Sequence, residues 1–403
     1  MKDHEYIDTK KYRWLDRDTL QVFNEKNKEW ENINFMNDVQ KKIIVTGVTG
    51  QDGSYMVDYL LANTPHFIYG MIRRTAKPDF SNLSKSIKNP NFKLVTGDLS
   101  DSTSLDNLVN EIKPDYFINL AAQSFVKASW DIPEQTFDVG ATGVLRCLEA
   151  IRKHAPECRF YNAGSSEELG DVVYIPQGEN HPLRPRSPYG AAKAASRHLV
   201  KVYRESYDLY AVQGLLFNHE SERRGEEFIT RKVSLGVARI KEAQENNVAF
   251  LPIELGNLDA KRDWSHAYDF VDGIWRMLNQ ENYRKGFSSN FKNADLKTLS
   301  KNIKEYVLAS GETHTVREFV EKAFAVAGID GVWKGSGKDE VFHYVYDETP
   351  LVKINPVFYR PAEVDLLLGD PTLAKTELDW KPQVSFDELV ARMVRSDINA
   401  TRL

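Results

Sequence analysis

The chain has 403 residues, 41% hydrophobic and 28% charged, enough for two or three domain-sized units with an ordinary soluble balance. A formal net charge of -5 gives a nucleic-acid partner no footing, and only two cysteines, Cys147 and Cys158, exclude a disulfide framework and point to a reducing, cytoplasmic setting. No apolar run is long enough to span a bilayer, so no membrane partner is expected, and the polar N-terminus does not read as a signal peptide.

Residues 1–40 are charged and aromatic without clear periodicity, and read as an added N-terminal arm. From Lys41 the pattern becomes regular. "KKIIVTG" is a buried strand, "SYMVDYLLAN" a helix, "FIYGMI" a second strand and "FKLVTGDL" a third. "SLDNLVNEI" carries apolar residues at helical spacing, "DYFINLAA" is a fourth strand, and "EQTFDVGATGVLRCLEAIRKH" reads as one helix. "RFYNAGS", the long helix "YGAAKAASRHLVKVYRESY" and the strand "YAVQGLLFN" complete the series. Strands alternating with helices predict right-handed βαβ units and a doubly wound parallel sheet, an α/β fold of Rossmann type over residues 41–231. After Phe217 the alternation breaks, and residues 232–403 read as a smaller, mostly helical substrate-binding domain, with 255–280 a candidate to complete the sheet. A polar insertion is expected between Asn279 and the strand "YVLAS".

Four groups of residues carry chemistry. In "TGVTGQDGSY", Gly47, Gly50 and Gly53 join the first strand to the first helix. A tight turn, close approach to a pyrophosphate and close helix–sheet packing each call for a glycine there. The second strand ends in "MIRRT", where a carboxylate would bind a ribose 2′-hydroxyl. Adjacent arginines are commonly a solvated pair, but at this position Arg73 and Arg74 suit a 2′-phosphate and favour NADP. Asp98 and Leu99, at the end of the third strand, are placed near the adenine; the plainer role for Asp98 is a helix N-cap. Tyr189 and Lys193 in "SPYGAAK" are four apart on a helix and share a face, so the ammonium is expected to favour the phenolate. Ser165 and Glu167 in "GSSEELG" add a hydroxyl and a carboxylate. Serines at strand ends usually cap something and glutamates are usually solvated, but a reaction that removes a proton from carbon needs such a base. Glu168, taken as the next residue on a strand, is expected to face away, so that Glu168→Gln is nearly silent.

"TGVTGQDGSY", "GDLSD", "NLAAQSFV", "SSE", "SPYGAAK", "LFNHESERRGEEFITRK", "RDWSHAYD" and "YRPAEVDLLLGDP" together resemble the GDP-mannose 4,6-dehydratase family, extended short-chain dehydrogenases/reductases, from about Lys41 to the C-terminus. The glycine loop and the Tyr–Lys pair are shared across the superfamily; the last segments are specific to this family. The resemblance implies a lyase that is redox-neutral overall, with NADP as cofactor and GDP-mannose or a related GDP-sugar as partner. Tyr189 would take the O4 proton, Lys193 would tune it and hold the nicotinamide ribose, Ser165 would orient the sugar, and Glu167 would take the C5 proton. Asn218, Lys232, Arg262, Arg360 and Glu363 would bind the GDP-sugar. A homodimer or homotetramer is implied, built partly on the Tyr189 helix.

The chain departs from the family at Ser165, usually threonine, at "SEELG", usually "SELYG", and at Glu222, usually proline. Gly170 keeps the family spacing from Glu167, which selects Glu167 over Glu168 as the base. The same residues are compatible with a GDP-heptose dehydratase or with an epimerase or reductase of this fold, and less so with a non-catalytic NADP-binding protein.

Overall fold

The computed structural model describes residues 12–14, 19–24, 29–34, 40–284, 294–359 and 366–402. Strands β1 (Tyr12–Trp14), β2 (Thr19–Asn24) and β3 (Glu29–Asn34) form an antiparallel meander in the order β1-β2-β3. The arm, in which no periodicity was expected, thus contains regular pairing, with Leu20 opposite Ile33 and Phe23 opposite Trp30. Charged and amide residues interleaved with the aromatic ones obscure the alternation.

Next come β4 (Lys42–Thr46), α1 (Gln51–Asn63), β5 (Phe67–Ile72), β6 (Phe92–Thr96), α2 (Ser102–Ile112) and β7 (Tyr116–Asn119). After α3 (Pro133–Phe137) a π-helical turn at Asp138–Thr142 leads into α4 (Gly143–His154). The helix expected here is continuous from Pro133 to His154 with one π-helical turn inside it, and Gly143 lets it lie close to Leu99, whose Cβ a Cβ on residue 143 would meet at 2.9 Å. β8 (Arg159–Ala163), α5 (Pro188–Tyr207), β9 (Ala211–Leu216), β10 (Asn218–Glu220) and α6 (Ile229–Glu245) follow. Then come β11 (Ile253–Leu255), β12 (Lys261–Arg262), β13 (Trp264–His266), α7 (Ala267–Leu278) and β14 (Val307–Leu308).

The central sheet has seven parallel strands in the order β14-β9-β8-β7-β4-β5-β6. Period-two alternation divides its side chains between two cores. Ile43 and Val45 pack with Met56 and Leu60 of α1 and Phe270 and Ile274 of α7. Ile44 packs with Leu105 and Val109 of α2, Leu148 of α4 and Val200 of α5. Covered on both faces, β4 is fully buried at Ile43, Ile44 and Val45, which explains its unbroken apolar run. The strand order reverses between β4 and β7, and ligands bind at such a switch point.

Residues 255–280 do not complete the sheet. They supply β13, paired with β10, and α7, which covers one face of the sheet; the seventh strand is β14, from the "YVLAS" segment. β15 (His314–Thr315) pairs with β12. β16 (Gly331–Lys334), β17 (Val341–Tyr344) and β18 (Pro350–Ile354) join β11 in a second sheet ordered β11-β18-β17-β16. Its core packs against α6 and the helices Val316–Val326 and Phe386–Thr401. Trp380 returns to the central sheet, where its buried Nε1 donates to the Asp269 carbonyl of α7 at 2.8 Å. Among the described residues no helix is long and apolar enough to cross a membrane. Cys147 and Cys158 are buried and free.

Candidate active site

A cleft of about 1320 Å³ opens over the carboxyl ends of β4, β5, β7, β8 and β9. Single-ligand pockets run to about 300–1,000 Å³, so this space is large enough for two bound molecules. Its walls include Gly47, Gly50, Gly53, Arg73, Asp98, Leu99, Ser165, Glu167, Tyr189, Lys193, Asn218, Lys232 and Arg262.

The glycine loop is built by close approach. Gly47 has φ +69°, in the left-handed region, and a Cβ on Gly53 would stand 2.2 Å from the Gly47 carbonyl oxygen. Gly50 caps α1 without any side-chain bond to its first amides. Those amides and the positive end of the helix suit a pyrophosphate. Arg73 lines the cleft, but Arg74, exposed beside it, does not. Asp98 is not the cap of α2. That is Asp101, which accepts from Thr103 N at 2.9 Å, while Asp98 Oδ1 accepts from Ser100 N and Oγ at 2.9 and 2.7 Å.

The "SSEE" segment is a 3-10 turn at Ser166–Glu168 capped by Ser165, whose Oγ accepts from Glu167 N at 3.2 Å. Glu167 lines the cleft. The strand expected at Glu168 is a turn: the residue still faces away from the cleft, but it is fully buried and accepts from Ser165 N and Gln213 Nε2, each at 2.8 Å. A tight capped turn tucks it inward, where strand alternation would have turned it outward.

Helix α5 starts at Ser187, which accepts from Gly190 N at 3.0 Å. A Cβ on Gly190 would lie 2.4 Å from the Glu167 carbonyl oxygen, so the helix seats directly on the Ser166–Glu168 turn. This brings Tyr189 beside Ser165 and Glu167. Burial pushes the Tyr189 phenol up, the Ser165 hydroxyl opposes this, and the Glu167 and Glu168 carboxylates push it further up. The net shift is upward, contrary to the sequence expectation, because burial dominates while the Lys193 ammonium bonds elsewhere. Its Nζ donates to the Ala163 carbonyl at 2.6 Å and stands 5.7 Å from the Tyr189 ring centre. Burial also pulls the Lys193 ammonium below its ordinary value, against the opposing pull of Glu168 and Asp52.

Sequence reasoning missed several residues on these walls. Asp52 and His219 pair at 2.9 Å across the cleft floor, His219 stacks on Phe270, and its Nδ1 lies 2.7 Å from the Phe217 carbonyl. Both sit inside motifs that were quoted for their neighbours, "GQDGSY" and "FNHE". Lys127 and Phe358 had no sequence signal: Lys127 Nζ donates to Val357 O at 3.2 Å, and Lys232 Nζ stands 3.4 Å over the Phe358 ring. Asn218 Oδ1 is buried without a partner, and Arg262 is largely buried on β12. Arg360 and Glu363 lie outside the described residues. Glu222, in place of the family's proline, accepts from Tyr55 Oη at 2.8 Å and pairs with His266 Nε2 at 3.3 Å. The loop is thereby tied to α1 and β13 by hydrogen bonds.

The parallel sheet and the cleft at its carboxyl edge are of Rossmann type. The dTDP-glucose 4,6-dehydratase of Bacillus anthracis, solved in complex with NAD, shares the fold with a TM-score of 0.68 at 19% identity, covering 90% of this chain and 98% of that one. Over residues 44–393 the chain matches the family model described as GDP-mannose 4,6 dehydratase. It is 44% identical over 370 residues to the GDP-mannose 4,6 dehydratase of Drosophila melanogaster, covering 90% of this chain and 87% of that one. With the human GDP-mannose 4,6 dehydratase it shares 43% over 367 residues, covering 89% and 92%. The chain belongs to the GDP-mannose 4,6-dehydratase family.

The Asp52–His219 pair gives the site a pH signature. Burial pushes the Asp52 carboxyl up, but the His219 imidazolium overrides this and holds it at about 2, below its ordinary 3.8. Burial pulls His219 down, but Asp52 and the Phe217 carbonyl hold it above its ordinary 6.5. Its contribution to stability is therefore complete between about pH 4 and 6.5, fading as acid protonates Asp52 and as rising pH passes the elevated His219 value. We expect the melting-temperature gap between wild type and His219→Asn to be widest near about pH 5–6 and to narrow as pH rises past 6.5 through the raised His219 value. A gap independent of pH in thermal melts would count against a charged pair.

Proposed function

We propose that this chain is a GDP-mannose 4,6-dehydratase that uses NADP. The observation that carries this reading is that the Glu167 carboxylate lines the same cleft as Tyr189 and Lys193. An enzyme that only transfers hydride has no task for a base at carbon.

The side-chain-free turn at Gly47–Gly53 and the open N-terminus of α1 fit the cofactor pyrophosphate. Arg73 would meet the 2′-phosphate, Asp98 and Leu99 the adenine end, and Lys193 the nicotinamide ribose. When bound, the nicotinamide supplies reversible hydride uptake, from C4 and back to C6. Tyr189 accepts the O4 proton, and Ser165, already beside the phenol, hydrogen-bonds the same oxygen. Since burial, helped by the Glu167 and Glu168 carboxyls, holds the phenol protonated, its ionisation awaits positive charge entering the cleft. A C4 ketone acidifies the C5 hydrogen; Glu167 removes that proton and passes it to the C6 hydroxyl, which leaves as water, and the proton Tyr189 took from O4 is then available to C5 as hydride reaches C6. The product is GDP-4-keto-6-deoxymannose. Lys232 and Arg262 face the diphosphate side, and Asn218 offers its unpartnered Oδ1 to a sugar or ribose hydroxyl. Arg360 and Glu363 are assigned to the same ligand by their motif.

The chain is also proposed to act in the cytoplasm as a dimer or tetramer. An apolar hollow of about 490 Å³ between α3 and α5, bounded by Pro133, Phe137, Pro188 and Ala191, supports such an interface. Phe137 and Trp130 are exposed beside it. The basic segment after β5 is long enough to reach a neighbouring subunit's cofactor.

Incubation with GDP-mannose should yield a product lighter by one water in mass spectrometry. Tyr189→Phe should suppress every step. Glu167→Gln should still bind GDP-mannose, yet lose exchange of the C5 hydrogen with deuterated water by about a hundred- to ten-thousand-fold. Undiminished exchange in that variant would remove Glu167 from the base role. Calorimetry should find NADP+ bound more tightly than NAD+ by about 1–3 kcal/mol, a preference that Arg73→Ala abolishes; equal affinities in the wild type would refute it. Light scattering with NADP+ present should give at least a dimer, and a monomer at micromolar concentration would overturn the interface.

A further inference from the structure

We propose that Glu168 is a positioning residue for the reaction above: its buried carboxyl clamps the turn presenting Ser165 and Glu167, and through Gln213 fixes that turn to α5 at Lys193. This rests on the dehydratase reading.

Glu168 is fully buried and does not line the cleft, so it cannot touch a substrate. Its Oε1 takes two donors, Ser165 N and Gln213 Nε2, each at 2.8 Å. The Gln213 amide also donates to the Lys193 carbonyl at 3.2 Å, and its Oε1 accepts from Asn162 Nδ2 at 2.6 Å and from Ser196 Oγ at 3.2 Å. Asn119 Nδ2 donates to Asn162 Oδ1 at 2.8 Å, and Thr46 Oγ1 donates to Asn119 Oδ1 at 2.7 Å. Thr46 Oγ1 in turn accepts from Leu120 N and Ala121 N, on the cleft wall opposite the glycine loop. A buried line of side-chain hydrogen bonds therefore crosses β4, β7, β8 and β9, and Glu168 ends it at the catalytic turn.

The space around the carboxyl is tight. A Cβ on Gly164 would come within 2.6 Å of Oε1 and 2.3 Å of the Gly214 carbonyl oxygen. Glu168 Oε2, by contrast, is buried without a partner. An orphaned buried oxygen is unfavourable. What offsets it is the pair of bonds at Oε1, without which two buried donors would go unmet. Lys193 and Arg197 on α5 and Glu305 before β14 are the charged groups facing it, and Arg197 and Glu305 are already paired at 2.8 Å. Lys193 is turned to the Ala163 carbonyl. The contacts of Glu168 are thus to the backbone of the turn and to the amide that bridges to α5.

The test compares Glu168→Gln, which keeps an acceptor oxygen, with Glu168→Leu, which removes it, and with Gln213→Met, which breaks the bridge to α5. Each is assayed for kcat and KM with GDP-mannose and NADP+, for C5 exchange in deuterated water, and for reduced-nicotinamide absorbance in a single turnover. Amide hydrogen exchange over 164–169 is measured without substrate. Misplacing a catalytic group by about 1 Å costs on the order of a hundredfold. Glu168→Leu should lose about ten- to a hundredfold in kcat with KM little changed, and C5 exchange should fall more than cofactor reduction. Glu168→Gln should restore kcat to within about threefold of wild type. If the Leu variant does not fold, Gln213→Met carries the test and should show the same split between kcat and KM. Amide exchange over the turn should be faster in the Leu and Met variants and unchanged in Gln. Wild-type kcat in the folded Leu or Met variants, a rise in KM alone, or a Gln variant as impaired as Leu would each overturn the clamp. Wild type inactive on GDP-mannose would sink the dehydratase reading, and the amide exchange would still decide the clamp.

Discussion

The site depends on backbone packed against backbone with no side chain between. The first turn of α1 touches the Gly47 carbonyl because residue 53 is glycine, and the first turn of α5 touches the Glu167 carbonyl because residue 190 is glycine. A single methyl group at either place would drive a helix away from the strand ends. Two things would then be lost together: the bare amides suited to phosphate, and the contact between Tyr189 and the turn that carries Ser165 and Glu167. The cleft is a consequence of these two approaches.

Much of the sheet was legible because its strands are covered on both faces and so appear as continuous apolar runs. "KIIVT" is such a run, and "AVQGLL" keeps the pattern apart from Gln213 and Gly214. The strand in "YVLAS" was legible, but not its place as the seventh strand of the sheet, since only Val307 and Leu308 pair with β9. Residues 255–280 were misplaced for the opposite reason: the apolar content of α7 suits a sheet, but its spacing is helical and it packs on the sheet rather than in it. Within the site, residues that act through a local motif could be found. Tyr189 and Lys193 are joined by helical spacing, and the glycines by a turn. Asp52 and His219, held together from opposite ends of the cofactor half, form a pair that only the fold creates. Glu168 was misread because strand alternation was extended one turn too far.

The substrate side uses a different economy of contacts. Where a proline would have stiffened the loop after β10 by its ring, Glu222 secures it through Tyr55 and His266. Burial pushes the Glu222 carboxyl up, but hydrogen bonds from His266, its own backbone and Tyr55 hold it at about 2. Arg223 lies 4.0 Å from the Tyr55 ring centre and bonds Asp58 at 2.6 Å, so the same loop is gripped twice along α1. Asp263 does the equivalent work beside Arg262. Its carboxyl gathers the amides of Ser310, Gly311 and Gly369 at 2.7, 3.0 and 3.2 Å, binding two distant segments next to the arginine.

The late arrival of β14 governs how the chain is made. Strand β9 is complete early in synthesis, yet its outer edge stays unpaired until Val307 and Leu308 have left the ribosome. The face under α7 is not sealed until Trp380 follows. For that interval the nascent chain exposes a hydrophobic edge strand, the kind of surface on which chains pair with one another. A ribosome stalled between these points would release a cofactor half that is nearly whole in sequence but open along one side, a substrate for chaperones before it is an enzyme.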